Sequence, residues 1–340
     1  MKIVGYECSS VRIPLETPFV TALRHVEAVE ALRLEIIGDD GRIGIGEAPS
    51  TEAITGATIT TIRQTLRRHL LPTLPKGDIL VPDRLLDPLQ SFAATASNAL
   101  ALFDIALHDL LVPLSGDPPS IETLVTVSLD TPTAMAAQAE EFSRRGHRKL
   151  KIKLGGPIDE DLQRCTTIHR IAPKARLYLD PNQSWRLADA FSFLAMADGL
   201  PIALIEQPLP ADDIEGMRRL SAASPIPILA DESVFDLEQL VACHTGRVAH
   251  GVNIKVMKCG GLLPAERMLR YCRRHRIPVM LGSMLETPAS IRAAFRLAMA
   301  FGDVIEWYDL DSPLLYRNTE REEGGFWLQD KRLGLRSWRP

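Results

Sequence analysis

Aromatic residues make up only 6 % of this chain of 340 residues. No uninterrupted apolar stretch reaches the roughly 18 residues that a membrane-spanning helix needs. The five cysteines (Cys8, Cys165, Cys243, Cys259 and Cys272) are odd in number and scattered, with no C-x-x-C pair. That favours reduced thiols in a cytoplasmic protein over a disulfide framework or a zinc site. None of the eight histidines forms an H-x-x-x-H pair, so any metal site rests on carboxylates. The dinucleotide and P-loop glycine patterns are both missing. A formal net charge of -4 and a pI near 6.1 give no electrostatic reason to expect nucleic acid. The opening MKIVGYECSSVRIPL lacks the apolar core of a signal peptide and reads as a first β-strand.

What is present divides into two patterns. Up to about residue 50, VRIPL, ALRLEII and RIGIGEAP are short strand-like runs, with a turn signal at Gly38-Asp39-Asp40-Gly41. Residues from about 57 to 112 carry helical periodicity, clearest in ASNALALFDIALHDLL. A meander followed by helices is an α+β arrangement. It ends at the breaker cluster Ser115-Gly116-Asp117-Pro118-Pro119. Beyond it, strands and amphipathic segments alternate: LVTVSL, KLKIKL, RLYLD, IALIE, IPILAD, GVNIKV, IPVMLGS and DVIEWYDL. Eight such units predict an α/β fold, a (β/α)8-type barrel (a modified TIM barrel), with an N-terminal α+β capping domain. The expected boundaries are 1–115 for the cap, 116–312 for the barrel and 313–340 for a C-terminal segment that packs back on the cap.

Three acids end apolar runs: Asp180 in RLYLD, Glu206 in IALIE and Asp231 in PIPILAD. They lie about 25 residues apart, one strand plus one helix, which brings them to the C-terminal end of a barrel. Three carboxylates there repel one another unless a cation sits between them, and a hard divalent ion with oxygen ligands, Mg²⁺, suits them. Lys151 and Lys153 in L-K-I-K-L share a strand face, and inward lysines need acidic partners. Lys255 ends the sixth strand, diametrically opposite the second, so Lys153 and Lys255 should flank the centre. A buried lysine beside other cations is expected to have a lowered pKa and to act as a base. Lys258, just beyond, reads as solvated. Asp309 and Asp311 share a face after the eighth strand and suit a bound ammonium, although turn or helix-capping aspartates have the same pattern. Gly260-Gly261 and Gly282-Ser283 resemble anion-binding turns. Arg24 by itself is a surface arginine.

The ordered set Lys151-x-Lys153, Asp180, Glu206, Asp231 and Lys255 resembles the enolase superfamily, muconate-lactonizing subgroup, and the resemblance spans nearly the whole chain. Within it, PFVTALR, GEAPSTEAITG, DPNQSW, NIKVMKCGG, GSMLET and the Asp309-x-Asp311 pair are similar to dipeptide epimerases, particularly L-Ala-D/L-Glu epimerases. The resemblance implies a Mg²⁺-dependent isomerase with one Mg²⁺ per subunit held by Asp180, Glu206 and Asp231. It implies removal and return of the proton α to a carboxylate at the second residue of the dipeptide, with Lys153 and Lys255 on opposite faces. Lys151 is expected to pair with the substrate carboxylate, Asp309 and Asp311 with its ammonium, and Arg24 with its side-chain carboxylate. Thr126 and Ser283 are candidate polar contacts. Glu52, if it faced the pocket, would favour a neutral or cationic side chain instead, and Leu285 and Pro288 are apolar.

Alternatives remain. Epimerases for apolar or cationic dipeptides, an o-succinylbenzoate synthase and an N-succinylamino acid racemase share the metal and the lysines. A Schiff-base aldolase also uses a lysine at a strand end. A pure scaffold has no use for so many inward charges. The resemblance is compatible with a homo-oligomer and with cell-wall peptide recycling, and implies neither a nucleic-acid nor a membrane partner.

Overall fold

The computed structural model describes residues 1–22, 25–75, 78, 81–112, 118–317 and 324–336. Three antiparallel strands open the chain: β1 (Ile3–Val20), β2 (His25–Gly38) and β3 (Ile43–Pro49). The turn predicted at Gly38–Gly41 joins the last two, and Asp40 there accepts the Arg42 backbone N–H at 3.1 Å. Alternation along β2 sends Leu32, Leu34 and Ile36 to one face, where all three are fully buried. That face is covered by the helix Ala93–Leu111, whose residues are buried on almost every side. A helix apolar all round is one enclosed from both sides. Here the cap sheet lies against one side and the barrel helix Leu262–His275 against the other.

Eight parallel strands follow: β4 (Val125–Val127), β5 (Lys149–Lys153), β6 (Arg176–Asp180), β7 (Ile202–Glu206), β8 (Ile228–Ala230), β9 (Gly251–Lys255), β10 (Val279–Gly282) and β11 (Ile305–Asp309). Each pairs with its sequence neighbour. The ring is joined by a parallel bridge between Thr123 and Tyr308, with the Leu124 N–H donating to the Tyr308 carbonyl at 2.8 Å. All eight predicted strands are present within a residue or two of their expected limits. They are legible because parallel strands covered on both faces read as short apolar runs between breakers.

The period of two sorts the barrel interior into layers. Leu124, Tyr178, Ala203, Leu204, Leu229 and Met280 form one buried apolar cluster, with Trp307 against it. Two residues further along the same strands stand Thr126, Asp180, Glu206, Asp231, Gly282 and Asp309. The barrel therefore has an apolar floor and a charged upper layer at its C-terminal end.

After β11, Tyr316 bridges Leu15 of β1, and a terminal hairpin of β12 (Phe326–Gln329) and β13 (Arg332–Leu335) pairs through Leu333 with Ile121. The final segment thus touches both the cap and the start of the barrel. The breaker residues 115–117 lie outside the described residues.

The cap sheet approaches its helix so closely that Gly46 has no room for a side chain. A Cβ there would overlap the Leu102 carbonyl oxygen and lie 2.9 Å from the Ala106 nitrogen. Gly46→Ala should destabilise the protein by about 2–3 kcal/mol in urea unfolding. An unchanged midpoint would contradict this packing.

Candidate active site

Strand ends and the loops after them build one crowded polar site. Lys151 and Lys153 are both buried, as their shared face on β5 requires. Lys151 Nζ lies 3.0 Å from Asp180 Oδ2, 2.7 Å from Glu206 Oε2 and 2.7 Å from Asp309 Oδ2. Lys153 Nζ donates to Asp180 Oδ2 at 2.6 Å. Lys255 Nζ donates to Asp231 Oδ2 at 2.5 Å and lies 3.7 Å from Glu206 Oε1. The two candidate base lysines thus hold different acids of one cluster.

The surroundings fix these groups in place. Asp161 accepts from the Gly155 and Gly156 N–H groups and from Trp185 Nε1 at 2.8 Å, pinning the loop after Lys153. Gln207 Oε1 accepts the Asp231 N–H at 2.8 Å and the Ser233 N–H at 3.1 Å, pinning the loop after β8. Asn253 Nδ2 donates to Glu206 Oε1 at 2.8 Å. The Gly260 and Gly261 N–H groups do not hold an anion; both donate to the Val256 carbonyl, and the anion in this turn is an internal one, held by the next two N–H groups. Asp104 of the cap helix accepts from the Leu262 and Leu263 N–H groups at 2.9 and 3.1 Å. These N–H groups open a long barrel helix, where a carboxylate is favoured. Gly261, at φ +133, lies so near Asp104 that any Cβ would collide with it.

The electrostatics follow from burial and neighbours. Burial raises Asp180, but Lys151 and Lys153 outweigh it and hold the acid at about 2. Lys255 and Lys258 likewise overcome burial and hold Asp231 well below the usual carboxylate range. Glu206 is pushed up to about 7, by burial and then by Asp180. Glu232 rises to about 8 through burial and Asp231, and Asp311 to about 6 through burial and Asp309. Lys255 departs from the expected lowering: burial works against its charge, but Asp231 and Glu206 exceed that and raise it. Proximity to acids decides the direction, although Lys151 pulls the other way.

Other expectations resolve as follows. Asp311 precedes the short helix Ser312–Leu315 but makes no side-chain cap; its Oδ2 accepts the Thr126 N–H at 2.7 Å. Ser283 donates through its N–H to the Asp309 carbonyl at 2.9 Å. Thr126, Ser283, Asp309 and Asp311 all line a cavity of about 520 Å³, counting its open mouth. Phe19, Thr21, Ile54, Leu285 and Leu315 close other parts of its wall. Glu52 is exposed and does not line it; Ile54 is the residue of that segment that does. Lys258 is fully buried, contrary to its solvated reading. Arg24 lies outside the described residues.

Sequence reasoning missed Glu232, Asn182, Asn253 and Asp104. The first could have been found beside Asp231, since D-E-S places a second acid at the same strand end. The last stood in plain view as an acid inside an apolar helix, with His108 one turn on.

Asp180, Glu206 and Asp231 belong to one cluster, interleaved with ammonium groups. Among the described residues no three His, Cys, Asp or Glu side chains form a ready-made cage by themselves. Their donor chemistry nevertheless fits a hard cation. Asn182 Oδ1 and Glu232 Oε2 are buried acceptors without a hydrogen-bond partner among the described residues, and Glu206 Oε2 meets Lys151 without hydrogen-bond geometry. Unsatisfied buried oxygens of this kind are costly and rare.

His108 Nδ1 lies 2.9 Å from Asp104 Oδ1. Burial lowers its pKa, but Asp104 outweighs burial and the net shift from 6.5 is upward. A raised folded pKa gives stability that is fully present below the unfolded value and lost as pH climbs through the folded one. The stability gap between the wild type and His108→Gln should therefore be widest below about pH 6 and narrow above it. A gap that grows with pH in denaturant titrations would contradict the pairing.

Comparison with known proteins agrees with this geometry. Residues 134–334 match the family model described as enolase C-terminal domain-like. The L-amino acid-D/L-Glu epimerase of Sulfurimonas denitrificans is 37 % identical over 332 residues, covering 95 % of this chain and 96 % of the relative. The substrate-liganded L-Ala-D/L-Glu epimerase of Bacillus subtilis superposes with a TM-score of 0.91 at 34 % identity, covering 98 % of this chain and 96 % of that one. The dipeptide epimerase of Enterococcus faecalis, complexed with Mg and L-Leu-L-Tyr, gives a TM-score of 0.90 at 29 % identity, with 99 % and 98 % coverage. On fold, ordered site residues and full-length similarity together, the chain belongs to the enolase superfamily, alongside its dipeptide epimerases.

Proposed function

We propose that the protein epimerises a dipeptide at the α-carbon of its second residue, with L-Ala-D/L-Glu as the leading substrate. The observation that carries this reading is the pair of buried lysines, Lys153 and Lys255, each held by a different acid of one cluster. Two such groups on opposite faces of an α-carbon can exchange roles as base and acid. The amine of one removes the α-proton, leaving its C–H electron pair on the carbon. The ammonium of the other delivers a proton to the opposite face, and the centre inverts.

Asp180, Glu206 and Asp231 would hold one Mg²⁺, which supplies charge stabilisation to the substrate carboxylate as the α-proton leaves. Lys151, sharing Asp180 and Glu206, is placed to meet that carboxylate as well. Asp309 and Asp311 receive the N-terminal ammonium. Among the described residues Asp311 forms no ion pair, its Oδ2 accepting only the neutral Thr126 N–H, and a substrate ammonium answers that. Thr126 and Ser283 line the same wall, and Arg24 is assigned to an anionic side chain of the second residue.

A second reading rests on the cavity wall. Phe19, Ile54, Leu285 and Leu315 are apolar, which suits a dipeptide with an apolar second residue. The relative from Enterococcus faecalis, complexed with L-Leu-L-Tyr, stands as a precedent for that class.

One experiment separates these readings. The protein with Mg²⁺ and a dipeptide library in D₂O should add one deuterium to L-Ala-L-Glu, and EDTA should abolish the gain. Gain confined to apolar or cationic second residues would retain the epimerase and remove the role of Arg24. No gain on any dipeptide would reject the proposal in favour of the lyase or racemase chemistry. Asp309→Asn should lower kcat/KM on dipeptides at least about 30-fold, since unpairing a buried charge costs about 2 kcal/mol or more. Unaltered turnover would remove the ammonium-binding role.

A further inference from the structure

Lys258 lies in the single helical turn Val256–Cys259 that follows Lys255. It is fully buried, and burying an ammonium is costly unless its donors are satisfied. Four acceptors surround its Nζ. The Asp231 carbonyl and Asp231 Oδ1 are each 2.5 Å away, and the Val234 and Asn253 carbonyls are each 3.0 Å away. The Phe235 ring lies beside it, 5.4 Å from centroid to Nζ.

Two features distinguish this arrangement from a generic buried ion pair. Lys258 grips both the main chain and the side chain of one residue, so it fixes the backbone and the rotamer of Asp231 together. It also takes only one carboxylate oxygen. The other, Oδ2, meets Lys255, which in turn approaches Glu206. Lys258 therefore lies on the outer side of Asp231 and Lys255 on the side of the acid cluster. None of the three carbonyl acceptors belongs to the substrate cavity lining, and neither does Lys258.

We infer that Lys258 is a positioning residue: it commits Asp231 Oδ1 away from the centre and leaves Oδ2 alone to serve the cation and Lys255. This rests on the proposed assignment of Asp231 as a Mg²⁺ ligand. Partners that orient a metal-binding carboxylate typically change affinity about 10–100-fold when removed.

The test is calorimetric titration of the full-length protein with Mg²⁺, with unfolding followed in parallel. Lys258→Met should bind Mg²⁺ about 10–100-fold more weakly while remaining folded. Lys258→Arg, which keeps the charge, should fall between it and the wild type. Asp231→Asn should lose binding, and Lys258→Met added to it should cost nothing further, because there is then no carboxylate to orient. A folded Lys258→Met with wild-type affinity, beside an Asp231→Asn variant that has lost it, would overturn the role of Lys258 alone. Full affinity in Asp231→Asn would overturn the ligand assignment and this inference with it. If Lys258→Met does not fold, the arginine variant decides, and wild-type affinity there would overturn the inference. Failure of both variants to fold would also overturn it, marking Lys258 as a folding residue.

Discussion

The constraint on which this molecule turns is an imbalance of buried charge. Among the described residues, Asp180, Glu206, Asp231, Glu232, Asp309 and Asp311 crowd the C-terminal end of the barrel, and Lys151, Lys153, Lys255 and Lys258 are the buried ammonium groups that answer them. Among these described groups, six acids facing four ammonium groups leave a formal surplus of two negative charges in a region of low dielectric. The cost shows in the acids themselves: burial raises Glu206, Glu232 and Asp311, and Asp180, Asp231 and Asp309 respectively add to it. A divalent cation and a substrate that is ammonium at one end and carboxylate at the other would settle that imbalance without rebuilding the site. Stability alone gives the barrel no reason to gather these charges at one end.

The rest of the fold keeps this layer from collapsing. The apolar floor beneath it blocks water from below, and strand register sets which atoms meet. The cap is tied to the barrel at points that also bear on the site. Asp104 fills the N-terminal end of the helix that begins seven residues after Lys255. Glu47, buried and paired with Arg33 Nη2 at 2.5 Å, reaches the Ala289 N–H at the start of the helix after β10. Both contacts place a cap carboxylate at a helix N-terminus of the barrel. Phe19 of β1 and Ile54 of the short helix Glu52–Thr55 are apolar cap residues in the cavity wall.

Much of this was legible in the sequence, for identifiable reasons. Alternation with period two placed Lys151 and Lys153 on one inward face, and acids closing apolar runs marked three strand ends. The eight strands could be counted because each is bounded by turn residues. What escaped notice depends on distances across the barrel. Lys258 lies only three residues past Lys255, yet a helical turn carries it behind Asp231, and no linear pattern distinguishes that from a solvated position. The raised pKa of Lys255 depends on Asp231 and Glu206, which are distant in sequence and adjacent in space. Glu52 shows the converse: a charged residue in a pocket-forming segment whose apolar neighbour, Ile54, faces inward.

The most direct test of the two-lysine account follows α-proton exchange from each epimer separately in D₂O. Lys153→Ala and Lys255→Ala should each abolish epimerisation. Each should still wash deuterium into one epimer only, and opposite epimers for the two variants. Loss of exchange from both epimers in one variant, or exchange from both in either, would contradict the assignment of one lysine to each face.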